Sequence, residues 1–415
     1  CGNETASERA MVRKYIVESV VYWAEEYHVD GFRFDLMGIH DTETMMAVRE
    51  ALNEVDPSII IYGEGWTGGD AAIESSLQAT KNHTYQMDRV GAFSDDIRDG
   101  LKGNVFDSLD TGFVSGKEGM EETVKFSVVG ATENEQVDIE AHEKSDNFWS
   151  GQPGQSINYL SCHDNLTLWD KLATSNADDS EEDRIKMNKL ASAIVFTSQG
   201  VPFLQAGEEM LRSKPSATIE GAFDENSYCS PDSTNSLKWD NKGNVLDVYE
   251  YYKGLIAFRK AHGALRMTTA EDIQNNLTFM EGLDANVVAY TIENSPNGEV
   301  AEQLFVVYNA NATATEVTLP EGTWDIYVNG EKAGCEVLGT AEGKVTVDGI
   351  SAMVLTKGTS GNAADADSAG AVETSGQTAE SKGNGVLSTV LICAGVVLLA
   401  VAAVIVVKKK KGTKK

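Results

Sequence analysis

Three segments of the chain each run through several apolar residues and then reach a carboxylate. They are VDGFRFDL (29–36), IIIYGEGW (59–66) and YLSCHDNLTLWDKL (159–172), and the acids are Asp35, Glu64 and Asp164. A buried, unpaired carboxylate is costly, so three acids that close apolar strands need cationic partners or a chemical purpose. In a parallel α/β sheet, functional residues gather where strands end. The pattern therefore predicts one cleft that holds all three carboxylates.

Two basic residues stand beside these acids. Arg33 is close to Asp35, and because side chains alternate along a strand, the two lie on the same face and can pair. His163 directly precedes Asp164. Taken alone, each acid is more often a loop residue or a helix N-cap than a catalytic group. Three acids at successive strand ends favour a shared site.

Strand and helix patterns alternate along the first part of the chain. An amphipathic helix is predicted from near Ser7, with Trp23 on its buried face. Further helices are predicted over 42–55, 181–197 and 247–262, further strands over 90–93 and 201–206, and a long insertion over 101–155. Such alternation is typical of an α/β fold of the (β/α)8 TIM barrel type, to which we assign residues 1–265.

Residues 266–357 change to short strands separated by Gly, Asn and Pro, as in NVVAYTIE and QLFVVYNA. This pattern predicts a small antiparallel β-sandwich domain. Trp324 and Tyr327 in this region could form a platform for a sugar ring. On alternating strands, however, such residues more often pack in a core.

The remaining segment is predicted to reach a membrane. Residues 358–384 are mostly Gly, Ala, Ser, Thr and acids, which indicates a flexible linker. Residues 385–407 are apolar or small over a length that can cross a bilayer, and a lysine-rich tail, 408–415, follows as the predicted cytoplasmic end. A buried core helix is the alternative. We expect a protein anchored at the cell surface by a carboxyl-terminal transmembrane helix, with its catalytic part extracellular.

Composition limits the partners of the chain. Its 415 residues are enough for a barrel and a smaller domain. A net charge of −30 would repel phosphate backbones, so no nucleic-acid partner is expected. The five cysteines are far apart and lack CxxC spacing, which predicts neither disulfide bonds nor a zinc site. No cofactor is predicted, and the sequence leaves calcium binding open.

Five strings of the sequence resemble one enzyme family. They are YHVDGFRFDLMGIHD (27–41), IYGEGW (61–66), HDNLTLWDKL (163–172), GVPFLQAGEE (200–209) and NSYCSPDSTNSLKW (226–239). In this order and approximate spacing they are similar to the type I pullulanases, which are debranching glycoside hydrolases of the α-amylase superfamily. The resemblance runs from residue 1 to about residue 357.

The resemblance implies a role for each residue of the predicted cleft. Asp35 matches the family's catalytic nucleophile, Glu64 its general acid/base, and Asp164 the third acid, which binds sugar hydroxyls and stabilises the transition state. Retaining hydrolysis needs two such carboxyl groups about 5–5.5 Å apart. The residues that the resemblance implies for substrate binding are Arg33, His163, Trp66 and Asn165.

Matched to the family, Asp35 ends the fourth of eight barrel strands. The chain then holds strands four to eight, and an arc of five strands leaves two edges unpaired. We therefore expect the chain to be the carboxyl-terminal portion of a longer protein. Whether the portion is active by itself is left open.

The predicted function is retaining hydrolysis of α-1,6-glucosidic bonds in pullulan, branched starch and limit dextrins, with an α-glucan polysaccharide as substrate. An α-1,4-acting amylase or a branching enzyme of the same superfamily is one alternative. A surface glucan-binding protein without catalysis is another. The strings around His163 and Asn226 favour the α-1,6 bond, and three intact acids favour an enzyme over a binding protein.

Overall fold

A parallel sheet of five strands forms the first part of the structure, a computed structural model that describes residues 5–69 and 71–358. The strands are hydrogen-bonded in chain order, and each neighbouring pair is parallel. Because parallel neighbours in chain order need a crossover after every strand, all five carboxyl ends lie along one edge. The strands are β1 (Gly31–Phe34), β2 (Ile60–Gly63), β3 (Val90–Ser94), β4 (Ser156–Asn158) and β5 (Val201–Pro202).

Helices connect and cover these strands. Two predicted helices are confirmed over their predicted residues, 42–55 and 181–197, and each begins with a side chain that caps the first turn, Asp41 and Ser180 respectively. The helices are α1 (Ala10–Tyr27), α2 (Thr42–Val55), α3 (Asp95–Lys102), α4 (Glu121–Val128), α5 (Leu168–Ser175), α6 (Glu181–Thr197), α7 (Asp232–Asn235), α8 (Asn241–Asn244), α9 (Leu246–Ala261) and α10 (Ala270–Asn276).

The first helix differs from its prediction in start and in orientation. It begins at Ala10, and the hydroxyl of Ser7 instead donates to the Asp41 carboxylate at 2.6 Å. Trp23, predicted to be in the core, has 45% of its surface exposed and packs against Tyr27 with ring centroids 4.5 Å apart. The buried residues of the helix are Val20 and Ala24, so the buried face is turned by one residue from Trp23. The spacing of apolar residues alone does not specify this rotation about the helix axis.

A second sheet of six antiparallel strands follows, over the residues where an antiparallel domain was predicted. Hydrogen bonds join all six in the order β10-β9-β11-β8-β7-β6, and Val317 of β9 and Val347 of β10 belong to one buried cluster with Phe305 of β8 and Leu355 of β11. The early part of β9 pairs only with β10, and a bulge between Glu342 and Lys344 bends this ribbon. The strands are β6 (Leu277–Phe279), β7 (Val287–Ile292), β8 (Gln303–Asn309), β9 (Thr315–Val328), β10 (Gly339–Val347) and β11 (Ser351–Lys357).

The aromatic residues of the six-stranded sheet lie inside it. Trp324 is fully buried and packs against Phe305, with ring centroids 5.8 Å apart. Tyr327 is buried against Phe258 of α9. Both therefore belong to the core, and neither forms a platform for a sugar ring.

The predicted fold class is corrected for its membrane helix. Within the described residues, none of the helices combines the length and the apolar character that crossing a bilayer requires. The predicted linker (358–384), span (385–407) and tail (408–415) fall outside the described residues, apart from Gly358. The described fold is thus an α/β unit followed by an antiparallel sheet. The cell-surface location stays a prediction.

Buried polar contacts connect α6 and α9 to the second sheet. The hydroxyl of Tyr290 donates to the carbonyl of Thr197 at 2.8 Å. Nδ1 of His262 lies 2.9 Å from the Glu299 carboxylate, and both side chains are almost fully buried. Burial alone would raise the pKa of Glu299, but the hydrogen bond and charge of His262, together with backbone N–H groups, lower it below its ordinary value.

The Glu299 contact predicts a pH-dependent contribution to stability. Glu299→Gln should lower the free energy of unfolding by about 2 kcal/mol near pH 7, because one carboxylate oxygen becomes an NH2 group that faces N–H donors. A carboxyl group with a lowered folded-state pKa stabilises above its unfolded value, about 4.3, and loses that effect as the pH falls through the folded value. The wild-type advantage in urea unfolding should therefore shrink below about pH 4.

Glu316→Gln is the matched control, since Glu316 pairs with Lys344 on the exposed surface. We expect this variant to unfold nearly as the wild type does. Equal effects of the two substitutions, or a difference that does not change with pH, would contradict the assignment.

Candidate active site

The ends of β1 and β2 place two of the predicted acids side by side. Asp35 directly follows β1 and Glu64 directly follows β2. Phe34 is the register partner of Gly63, and the backbone N–H of Glu64 donates to the carbonyl of Phe34 at 3.0 Å. The parallel pairing thus continues one residue past β2 and holds both acids at the same level of the sheet.

Arg33 connects these two carboxylates. Its Nη1 donates to Asp35 Oδ1 and its Nη2 to Glu64 Oε1, both at 2.6 Å. Partial burial opposes the charge, but the hydrogen bond to Asp35 and the charges of both acids raise the pKa of Arg33 above its ordinary value. The second oxygen of Glu64 accepts from the backbone N–H of Leu36 at 3.0 Å, which the left-handed conformation of Leu36 (φ 42°) makes available. Glu64 is therefore held at both oxygens.

The third acid lies in a loop and not at the end of a strand. Strand β4 ends at Asn158, well before Asp164. His163 precedes Asp164 in the loop, and its Nε2 lies 3.5 Å from Asp164 Oδ1. His163 also reaches the first two acids, because one ring nitrogen and one oxygen each of Asp35 and Glu64 all lie within 4.8 Å of one another.

The same trio of Asp35, Glu64 and His163 has the donor atoms of a metal site. The geometry of Arg33 argues against that interpretation. Its guanidinium already donates to both carboxylates, so an organic cation supplies the positive charge that a metal ion would bring. The arrangement fits two carboxyl groups held for acid–base and nucleophilic chemistry better than it fits a ligand set.

A cavity of about 350 Å³ opens beside these residues. Arg33 and Asp35 are not among its lining residues, but both lie beside Glu64, which is. Five predicted site residues line it, namely Glu64, Trp66, His163, Asp164 and Asn165. The wall also contains residues that were not predicted, including Asp95, Arg98, Lys102, Phe106 and Tyr159.

The three acids differ sharply in their contact with water. The Asp35 and Asp164 side chains are 69% and 62% exposed, whereas that of Glu64 is 8% exposed. A carboxyl group that is buried and held at both oxygens has a fixed orientation, and an exposed one is free to contact a ligand. The structure thus provides two accessible carboxylates and one enclosed carboxyl group in the same site.

Asp95 is a site residue that sequence reasoning missed, although the same signal marks it. It directly follows β3, as Asp35 and Glu64 follow their strands. Lys81 donates to Asp95 at 2.5 Å and to the fully buried Asp96 at 2.9 Å. Burial would raise the pKa of Asp95, but the charges of Lys81 and Lys144 outweigh it and lower the value to about 2.

Two buried basic residues of α3 were also missed. Arg98 donates to the hydroxyl of Tyr159 at 2.7 Å and to Asp99 at 2.6 Å. Lys102 donates to the carbonyl of Leu166 at 3.3 Å, and burial lowers the pKa of Lys102 to about 7. Every residue of α3 from Asp96 to Lys102 is buried, so the contrast between its apolar residues, Ile97 and Leu101, and its charged residues does not separate a buried face from an exposed one.

Comparison with known proteins identifies the family. The model of the pullulanase all-beta domain matches residues 273–332. The pullulanase of Bacillus subtilis is 36% identical over 325 residues, which cover 77% of this chain and 42% of that protein. The solved pullulanase from Bacillus acidopullulyticus is 42% identical, with a TM-score of 0.79, covering 86% of this chain and 41% of that one. The chain belongs to the pullulanase family.

A pullulanase from Paenibacillus barengoltzii, solved in complex with maltohexaose and α-cyclodextrin, is 41% identical at a TM-score of 0.77. The match covers 86% of this chain and 52% of the Paenibacillus protein. The chain spans about half or less of the length of these relatives. The resemblance drawn from the five sequence strings is confirmed for the family.

The Lys81 contacts predict a large stability effect close to the cavity. Lys81→Met should lower the free energy of unfolding by about 3–5 kcal/mol, because Asp96 would remain fully buried without its cation. Urea unfolding followed by tryptophan fluorescence measures the change. Lys344→Met removes an exposed ion pair and serves as the control. If the free energy of unfolding falls by the same amount in both variants, the contacts of Lys81 do not stabilise the fold as predicted.

Proposed function

We propose that the chain is the catalytic part of a retaining glycoside hydrolase that cleaves α-1,6-glucosidic bonds in pullulan, branched starch and limit dextrins. The observation that carries the proposal is the pair of Asp35 and Glu64, which lie at adjacent strand ends and are bridged by Arg33. Their oxygens approach within 4.8 Å. Such a short separation suits a retaining mechanism, whereas inverting enzymes keep their carboxyl groups about 6.5–9.5 Å apart.

Asp35 is proposed to act as the nucleophile. Its exposed carboxylate is free on one side to attack the anomeric carbon, while Arg33 holds the other side. As the new bond to Asp35 forms, the bond from the anomeric carbon to the leaving oxygen breaks. Glu64 donates its proton to that oxygen, so that a sugar hydroxyl leaves and a glycosyl ester of Asp35 remains.

Glu64 is proposed to serve in both halves of the reaction. After the first half it is a carboxylate and can take a proton from water, whose oxygen then attacks the anomeric carbon and releases Asp35. The Leu36 amide fixes the orientation of Glu64 during both proton transfers. Arg33 contacts both groups and offsets the negative charge that moves between them.

The other cavity residues are proposed to bind the glucan. Asp164 and His163 present exposed polar groups to sugar hydroxyls, and Asn165 lies beside them. Trp66 and the exposed ring of Phe106 line the cavity and offer flat apolar faces to glucosyl rings. Related pullulanases have been solved in complex with maltohexaose, maltotetraose and maltotriose, which supports an α-glucan as the substrate class.

Substitution of the two proposed catalytic groups tests the chemistry in the natural protein. Asp35→Asn should lower hydrolysis of pullulan at least about 100-fold while maltotriose still binds, because an amide cannot form the glycosyl ester. Glu64→Gln should also block pullulan hydrolysis. It should still release about one equivalent of fluoride from maltotriosyl fluoride in a burst, because fluoride leaves without a proton, whereas steady turnover should stay slow because the second half also needs Glu64.

Asp88→Asn is the control, because Asp88 is an exposed acid of similar chemistry that is not among the cavity residues. Its activity should equal that of the wild type. Glucan binding without turnover in the wild type would favour the non-catalytic binding protein. An Asp35→Asn variant with more than about a hundredth of the wild-type rate would show that another group is the nucleophile.

The bond preference is tested with two polymers. The protein should convert pullulan to maltotriose and leave linear amylose nearly intact, because the strings around His163 and Asn226 are similar to those of the pullulanases. Chromatography of the products over a time course measures both reactions. Rapid shortening of amylose with little change in pullulan would favour an α-1,4-acting amylase.

A further inference from the structure

The loop of residues 159–167 carries three predicted site residues without support from a strand or helix. It connects β4 to α5 and contains His163, Asp164 and Asn165. Asn165 adopts the left-handed conformation with φ 62°. Because the loop lies outside the hydrogen-bond ladder of the sheet, its shape depends on contacts from elsewhere in the chain.

Three side-chain donors from distant elements bind consecutive parts of this loop. Nε2 of Gln205 donates to the carbonyl of Cys162. Nζ of Lys214 donates to the carbonyl of His163 at 2.7 Å. Nζ of Lys102 donates to the carbonyl of Leu166 at 3.3 Å. Of the two lysine contacts, that of Lys214 is the shorter, and it acts on the residue directly before Asp164.

Lys214 is itself held in place from both sides. Its backbone N–H donates to the carboxylate of Asp170, in α5, at 2.7 Å, and its carbonyl accepts from the backbone N–H of Asp224 at 2.8 Å. Its surface is only 3% exposed. The backbone of Lys214 is therefore fixed, and its side chain extends from there to the loop.

The burial of an ammonium group at this position needs a reason. Burial lowers the pKa of Lys214 and the charge of nearby Arg212 adds to this effect, while the carboxylates of Asp164, Asp170 and Asp224 oppose it. A neutral side chain would avoid the cost of burying a charge. A cation is favourable here because it both binds the His163 carbonyl and lies in the field of the Asp164 carboxylate.

We propose that Lys214 is a positioning residue for Asp164: by holding the His163 carbonyl it keeps the 159–167 loop, and hence the third carboxylate of the site, in the geometry that the reaction needs. This role rests on the proposed function, with Asp164 as the third acid, which binds sugar hydroxyls more strongly in the transition state than in the bound substrate, so its displacement is expected to lower kcat. Displacement of a reacting or binding group by about 1 Å can cost a factor of about 100 in rate. The loop contact is therefore expected to affect turnover more than folding.

Lys214→Met in the natural protein tests this role. We expect kcat on pullulan to fall at least about tenfold, with KM changed less than about threefold. Lys214→Arg keeps a cationic donor and should restore kcat to within about threefold of the wild type. Hydrogen exchange of the amides in residues 160–167 should be at least about fivefold faster in Lys214→Met than in the wild type.

Lys189→Met is the matched control, because Lys189 is also a buried lysine, but its ammonium group pairs with Asp247 at 2.9 Å and not with the loop. It should leave kcat and the loop exchange unchanged. The Tm of Lys214→Met should fall no further than that of Lys189→Met. If Lys214→Met does not fold, Gln205→Leu replaces it in the test, since it removes the neighbouring donor to the loop. It should likewise lower kcat and speed the exchange of the loop amides.

Three results would overturn the proposal. One is a kcat of Lys214→Met equal to that of Lys189→Met. Another is a loss confined to KM, and the third is loop exchange equal to that of the wild type. If the wild type hydrolyses no α-glucan, the proposed function fails instead, and the exchange measurement alone decides whether Lys214 holds the loop.

Discussion

The arrangement of the site depends on the hydrogen bonds that the guanidinium group of Arg33 donates. It donates to Asp35 and to Glu64 at 2.6 Å each, and without it two carboxylates this close would repel each other. The contact exists only because Arg33 and Asp35 share one face of β1 and because Phe34 pairs with Gly63 of β2. A shift of register by one residue would turn Arg33 to the opposite face. The chemistry of the site thus depends directly on how two short parallel strands pair.

The sequence predicted those parts of the site that follow strands directly. Asp35 and Glu64 lie where alternation and apolar runs placed them, and Asp95 carries the same signal, so it could have been found by applying the rule to a fourth strand. The position of Asp164 could not be derived in this way. It depends on donors such as Lys214 and Gln205, which are far away in the chain and enter the loop through tertiary contacts alone.

Two features of the fold depended on which partner covers a given apolar face, and the sequence did not show them. Trp23 has helical spacing but lies one position from the buried stripe of α1. The strands after residue 266 alternate as predicted, but the alternation did not show that β9 pairs with both β10 and β11 in one bent sheet. Local periodicity identifies a strand or a helix, while the partner of its apolar face is a property of the whole fold.

Buried lysines that bind the segments of the site explain how this fold can hold a precise site on loops. Lys81, Lys102 and Lys214 are each largely or fully buried, and each binds a carbonyl or carboxylate in a segment that follows a strand. Such segments have left the sheet ladder, so their backbone oxygens need other donors. A long lysine side chain can reach such an oxygen across the core, and its charge strengthens the hydrogen bond. Burying these charges costs free energy, but it fixes the loops, so that their groups are already in position when a glucan enters the cavity. Three carboxyl groups can act on one bond only when they are positioned in this way.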